Sequence, residues 1–150
     1  MNTTLVIACG NQLRGDDGIG PAAADIVTSW RTPGVRVLTV HQLVPELIDE
    51  MKHVERVLFI DAAVNAGDSA FESCRIEPRK SRRLLGHHDT PANLLALLRD
   101  LEGRMPEAWL VSISTSSFAH GEEITEAAQV YLHAAIVWIR AFLAEPVCTK

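Results

Sequence analysis

At 150 residues and 47% hydrophobic composition, the chain has material for one domain around one substantial core, with no need of metals or disulfides to staple it. A formal charge of -5 excludes the basic stripe that general nucleic-acid binding requires, and three cysteines without a CxxC pair exclude a disulfide framework or a zinc knuckle and fit a reducing cytoplasm. No basic n-region or cleavage site follows Met1, and the longest apolar stretch, Ala134 to Ile139, is far short of the roughly 20 residues that span a bilayer, so a soluble protein with no membrane partner is expected.

The first apolar run, Leu5 to Cys9, reads as a strand and leads into GNQLRGDDGIG, Gly10 to Gly20. Gly10 and Gly15 have P-loop spacing, but Asp16 and Asp17 stand where a lysine and a hydroxyl residue would hold phosphate, so the turn has the wrong charge for that ligand. Gly20-Pro21 then opens a helix whose Ala23, Ile26, Val27 and Trp30 share a face. Gly18-Ile19-Gly20-Pro21-Ala22-Ala23 also satisfies a loose dinucleotide pattern. Its glycines lie past the strand end, however, and Leu38 to His41 offers no acid for a ribose, so a nicotinamide cofactor is rejected.

Val35 to Val40 reads as the second strand, and Val44, Leu47, Ile48 and Met51 as a short helix. Val57 to Ile60 is a very apolar third strand that Asp61 terminates, ahead of Ala62 and Ala63. Phe71 to Ile76 is a possible antiparallel edge strand, followed by a basic cluster of Arg75, Arg79, Lys80, Arg82 and Arg83, for which a solvated loop is the simpler reading and an acidic docking partner the sharper one. Thr90 caps and Pro91 starts the clearest helix, striped by Leu94, Leu97, Leu98 and Leu101. Trp109 to Ile113 reads as a strand. Ile124 to Leu143 reads as a last helix, apolar on most faces and expected to pack deep against the sheet. Strands alternating with helices predict an α/β fold with a mostly parallel sheet.

Ligands of such sheets collect beyond the carboxyl ends of the strands. The first glycine turn and Asp61 both lie there, although Asp61 serves equally well as a cap or turn former. Adjacent side chains on an irregular turn point apart, so one of Asp16 and Asp17 is expected to face the site. The start of the following helix favours its ionised form, and a purely dipole-complementing role is the competing account. Gly10, Gly15, Gly18 and Gly20 suggest backbone held close to a ligand. The tandem His87-His88 ahead of the Thr90 cap is an ordinary surface turn or a source of one imidazole. If Asp17, Asp61 and one of these histidines converge, they form an incomplete shell for a borderline divalent ion such as zinc or nickel. No HExxH or GxSxG motif is present. Ser112, Ser114, Ser116 and Ser117 read as sheet-edge packing, and His41, His53, His120 and His133 as structural or surface residues.

The runs VIACGNQLRGDDGIGPAAADIV, VLFIDAA and HHDTPANLLALL resemble, in order, the three signature regions of the hydrogenase maturation endopeptidases, which trim the C-terminal extension of nickel-iron hydrogenase large subunits. HQLVPEL at His41 to Leu47 is similar to the subgroup serving bidirectional, NAD-linked hydrogenases, while Ala8 stands where the family often has glycine. The resemblance implies a three-layer α/β/α sandwich with about five strands, and metal contacts by Asp17, Asp61 and, by the fit of H-x-x-P-x-N, His88. It implies a turn shaped by Gly10, Asn11, Gly15, Asp16 and Gly18, with Asp17 or Asp61 as general base. It further implies nickel brought in by the hydrogenase large-subunit precursor, and a monomeric cytoplasmic enzyme is expected. A metal-dependent small-molecule hydrolase and a non-cleaving nickel-sensing chaperone are the alternatives.

Overall fold

The computed structural model describes residues 3–10, 15–64, 69–79, 90–115 and 124–147. Five strands form one sheet: β1 (Thr4–Cys9), β2 (Val35–Val40), β3 (Arg56–Val64), β4 (Phe71–Arg75) and β5 (Glu107–Thr115), in the order β2-β1-β3-β5-β4. All neighbours pair parallel except β4, which runs antiparallel to β5 at the edge. The expected edge strand is therefore real.

Strand alternation sends successive side chains to opposite faces, and each face receives its own layer of helices. Val6, Ala8, Leu58, Ile60, Val111 and Ile113 meet the helices α1 (Ile19–Ser29) and, last in the chain, α4 (Glu126–Ala144). Leu5, Ile7, Val57, Phe59 and Ala108 meet the short α2 (Ile48–Met51) and α3 (Pro91–Glu102). This is the three-layer α/β/α sandwich that the resemblance implies, and its mostly parallel sheet is the one expected from the alternation of elements. Both long helices of the C-terminal half begin on a hydroxyl cap: Thr90 Oγ1 accepts from Asn93 N at 3.1 Å, and Thr125 Oγ1 from Ala128 N at 3.2 Å. Each cap stabilises by about 1 kcal/mol.

On α3 the expected stripe shifts by a turn's edge, since Leu95 is buried with Leu94 and Leu98 while Leu101 is 63% exposed. Two elements depart further from the sequence reading. Asp61 does not terminate its strand, because β3 continues to Val64 and stays paired with β5 through Val64 and Thr115. The β1 ladder ends earlier, at Ala8 and Ile60, so Asp61 is the first β3 residue past its pairing with β1. The second departure is α4, which is not buried on most faces. Ala128, Leu132, Ala135, Ile139, Phe142 and Leu143 form its inner stripe, whereas Val130 and Val137 are 66% and 61% exposed. By length and composition alone this 19-residue helix could cross a membrane, but its inner stripe is committed to the sheet. Phe142 stacks on Trp138 at 5.0 Å and meets Trp109 edge-on at 5.8 Å, and the Arg56 guanidinium lies 4.4 Å from the Phe142 ring centre.

The junction of β1 with α1 is closed by two absent β-carbons. A Cβ at Gly20 would stand 2.3 Å from the Cys9 carbonyl oxygen, and one at Gly10 would stand 2.1 Å from the Asp17 carbonyl oxygen. Both obstacles are backbone, which cannot swing aside as a side chain could. Gly20→Ala should destabilise the fold by about 1–3 kcal/mol or more, the usual range for forced overpacking, read as a lowered midpoint in urea unfolding. A midpoint equal to that of the unsubstituted protein would show that the junction is looser than these distances require.

Candidate active site

The strand order places a switch point between β1 and β3. From β1 the chain crosses over α1 to β2 on one side, then returns to β3 on the other, which leaves a crevice beyond the carboxyl ends of β1 and β3. Asp61 and Cys9 stand side by side at that crevice, one residue beyond the Ala8–Ile60 pair. By alternation they point to the same face as Phe59 and Ile7, toward the α2/α3 layer. Asp61 Oδ1 accepts a hydrogen bond from Ala62 N at 2.8 Å, which ties the carboxylate to its own strand.

Asp17 reaches the same crevice from the opposite layer. It sits in a one-turn 3-10 helix, Gly15–Gly18, directly ahead of α1. The close approach of its carbonyl oxygen to Gly10 fixes its backbone against the end of β1. The Cys9 thiol records the result. Burial, then the negative charge of Asp61, then that of Asp17, push its pKa up to about 11, so both carboxylates lie near enough to one sulfur to act on it. The thiol also donates to His41 O at 3.5 Å. Asp17 and Asp61 thus both border Cys9 at the carboxyl edge of the sheet.

Two of the glycines are required by the fold itself. Gly10 and Gly20 approach the chain's own backbone, at Asp17 and Cys9, where the sequence suggested approach to a ligand. The two situations are indistinguishable in a sequence, since each demands only a missing side chain. Gly15 and Gly18 bound the 3-10 turn. Asn11, His87, His88, Ser116, Ser117, Lys80, Arg82 and Arg83 lie outside the described residues, as does the side chain of Asp16. Among the described residues, no group of three or more His, Cys, Asp and Glu side chains could hold a metal ion.

Arg75, from the basic cluster, approaches Glu77 and Glu107, each at 3.9 Å, in keeping with a solvated, locally balanced surface. Ser114 is buried and donates to Ser69 O at 2.6 Å, a packing role at the β4–β5 edge.

Sequence reasoning passed over Cys9. Its signal was available: it is the last residue of β1, in phase with Ile7, and hence on the rim beside any residue that ends the neighbouring strand. Pro91, expected as a helix starter and as the proline of H-x-x-P-x-N, also lines a small cleft together with Asp61, Cys9, Leu43 and Leu110. The first turn of α3 therefore arrives at Asp61.

No family model and no curated protein matches the chain. Solved structures do. A hydrogenase 2 maturation peptidase from a Thaumarchaeota archaeon superposes with a TM-score of 0.69 at 24% identity, covering 95% of this chain and 99% of that one. The [NiFe] hydrogenase maturation protease HybD from Thermococcus kodakarensis gives 0.71 at 21% identity over 94% and 99%. The hydrogenase maturating endopeptidase HybD from E. coli gives 0.73 at 21% identity over 94% and 91%. The fold is the one these proteases share.

Cys9 offers a direct measure of the crevice. Because its folded pKa of about 11 exceeds the ordinary 9.0, the native state retains a proton that the unfolded chain loses, and stability falls as pH climbs through that window. In a Cys74→Ser, Cys148→Ser background, the pH profile of iodoacetamide alkylation should turn upward near pH 11. Asp61→Asn and Asp17→Asn should each move it down, Asp61→Asn the further of the two. A profile that neither variant moves would mean that the carboxylates are remote from the thiol.

Proposed function

We propose that the protein is a processing endopeptidase that removes the C-terminal extension of a nickel-iron hydrogenase large-subunit precursor once nickel has been inserted. The reading is carried by one observation: Asp17 and Asp61, from two separate segments, both act on the Cys9 thiol at the switch point of the sheet. The likeness to hydrogenase maturation proteases over more than nine-tenths of the chain supports it. So does the order in which the three signature runs fall on the β1, β3 and α3 ends of the sheet.

His88 is the third contact. It precedes Pro91 by three residues, a length of chain that spans no more than about 11 Å even when extended, and Pro91 lines the same cleft as Asp61. Two carboxylates and one imidazole suit a borderline divalent ion and leave its other positions to the donors it arrives with. Nickel is then cargo of the substrate and the mark by which a loaded precursor is known. Its charge would polarise the carbonyl of the bond to be cut.

The remaining chemistry falls to the chain. Asp17 or Asp61 accepts a proton from the attacking water as its oxygen bonds to the carbonyl carbon, and returns that proton to the departing amine as the C–N bond breaks. The close approach of Gly10 to the Asp17 carbonyl fixes the backbone that carries one carboxylate, and the Ala62 N–H holds the other, which lowers the ordering needed when the precursor docks. The protein acts as a single domain, as a monomer and in the cytoplasm, where free thiols such as Cys9 and Cys74 persist.

Incubation with nickel-loaded and nickel-free precursor, followed by mass spectrometry, tests this. Loss of a C-terminal peptide is expected from the loaded precursor only. Asp17→Ala, Asp61→Ala and His88→Ala should each lower processing by about 100-fold or more, the ordinary cost of a lost acid-base group or ligand, while His87→Ala should be tolerated. An intact loaded precursor would point to a non-cleaving chaperone, and equal cleavage of both forms would remove nickel from the recognition step.

A further inference from the structure

The cleft under Asp61 has a constitution of its own. Ile7 and Phe59, at 0% and 2% exposure, form its floor. Leu43 and Leu110 are its walls, and Pro91 and the exposed Asp61 stand at its rim. Its lining is carbon apart from the groups of Asp61 and Cys9, so nothing inside could hydrogen-bond a polar or charged guest. Its volume is about 50 Å³. A cavity of about 150 Å³ takes a benzene ring, so this one has room for a few carbon atoms, the bulk of an alanine or valine side chain.

We infer that this cleft is a specificity pocket, which seats one small aliphatic side chain of the precursor peptide flanking the bond to be cut. The inference rests on the processing reading above and deepens it. Geometry links the two: Asp61 is at once a rim residue of the pocket and one of the two carboxylates of the crevice. A peptide whose scissile carbonyl lies beside Asp61 must place a neighbouring side chain within reach of the opening, since alternate side chains of an extended peptide leave on opposite faces. An apolar guest removes its own surface and that of Leu43, Leu110 and Pro91 from water. An aromatic guest is too large, and an acidic one meets the Asp61 charge as well as an apolar floor.

The test uses nickel-loaded large-subunit precursor, unaltered or carrying Val, Phe or Asp at each of the two positions flanking the cut. At one of the two positions Phe and Asp should lower kcat/KM by at least about 10-fold relative to Val, within the 10- to 200-fold range by which apolar pockets discriminate. Leu110→Ala and Leu43→Ala enlarge the pocket, and each should narrow the Val-to-Phe ratio by about 10-fold, with folding checked by thermal melting. Equal rates for Val, Phe and Asp at both positions, measured with the unsubstituted protein, would overturn the pocket and leave the protease reading standing. An unchanged Val-to-Phe ratio in a folded pocket variant would do the same. Unaltered precursor left whole would overturn the protease reading, and this inference with it.

Discussion

Two backbone contacts, Gly20 against the Cys9 carbonyl and Gly10 against the Asp17 carbonyl, govern the geometry of the carboxyl edge. They let the chain leave β1, make one tight 3-10 turn and enter α1 without moving away from the sheet. Any larger residue at 10 or 20 would push the turn outward and carry Asp17 with it. The cost of seating glycine, lost chain entropy, is offset by the packing of Ile19, Ala23, Ala24 and Val27 once α1 is drawn down onto the sheet.

A second offset completes the crevice. Because β3 and β5 outrun β1, Asp61 projects where its neighbour on one side has already turned away. Full pairing on both sides would have enclosed the carboxylate among strands. The longer β3–β5 ladder, which runs on from Asp61 to Val64, instead presents it to solvent while its strand stays paired with β5. Burial first, and then the two like charges nearby, disfavour a thiolate at Cys9, and its raised pKa expresses that. The same field favours a cation over an anion at this edge.

Much of this was legible beforehand. The four β-branched runs, the edge strand at Phe71 and the Thr90 cap each follow from the local sequence, and each appears in the fold, whereas the leucine stripe of α3 holds only at Leu94 and Leu98. Asp17 and Asp61 were legible because acids at the carboxyl ends of apolar strands have little to do in a core. What escaped depends on neighbours distant in sequence. Ala62 and Ala63 read as residues past a strand end, yet they pair within the ladder because β3 and β5 support each other. The exposed faces of Val130 and Val137 are apolar like the buried ones, so composition could not say which side of α4 meets the sheet. Cys9 gained its meaning only from Asp61, more than fifty residues away.

The position of α4 in the chain carries one more consequence. All five strands precede it, so on a ribosome the sheet can be assembled before the hydrophobic segment emerges. A stretch that could partition into lipid by composition therefore meets a finished, matching surface at birth. Moving it to the front of the chain by circular permutation would expose it with nothing to cover it, and targeting to a bilayer would then compete with folding.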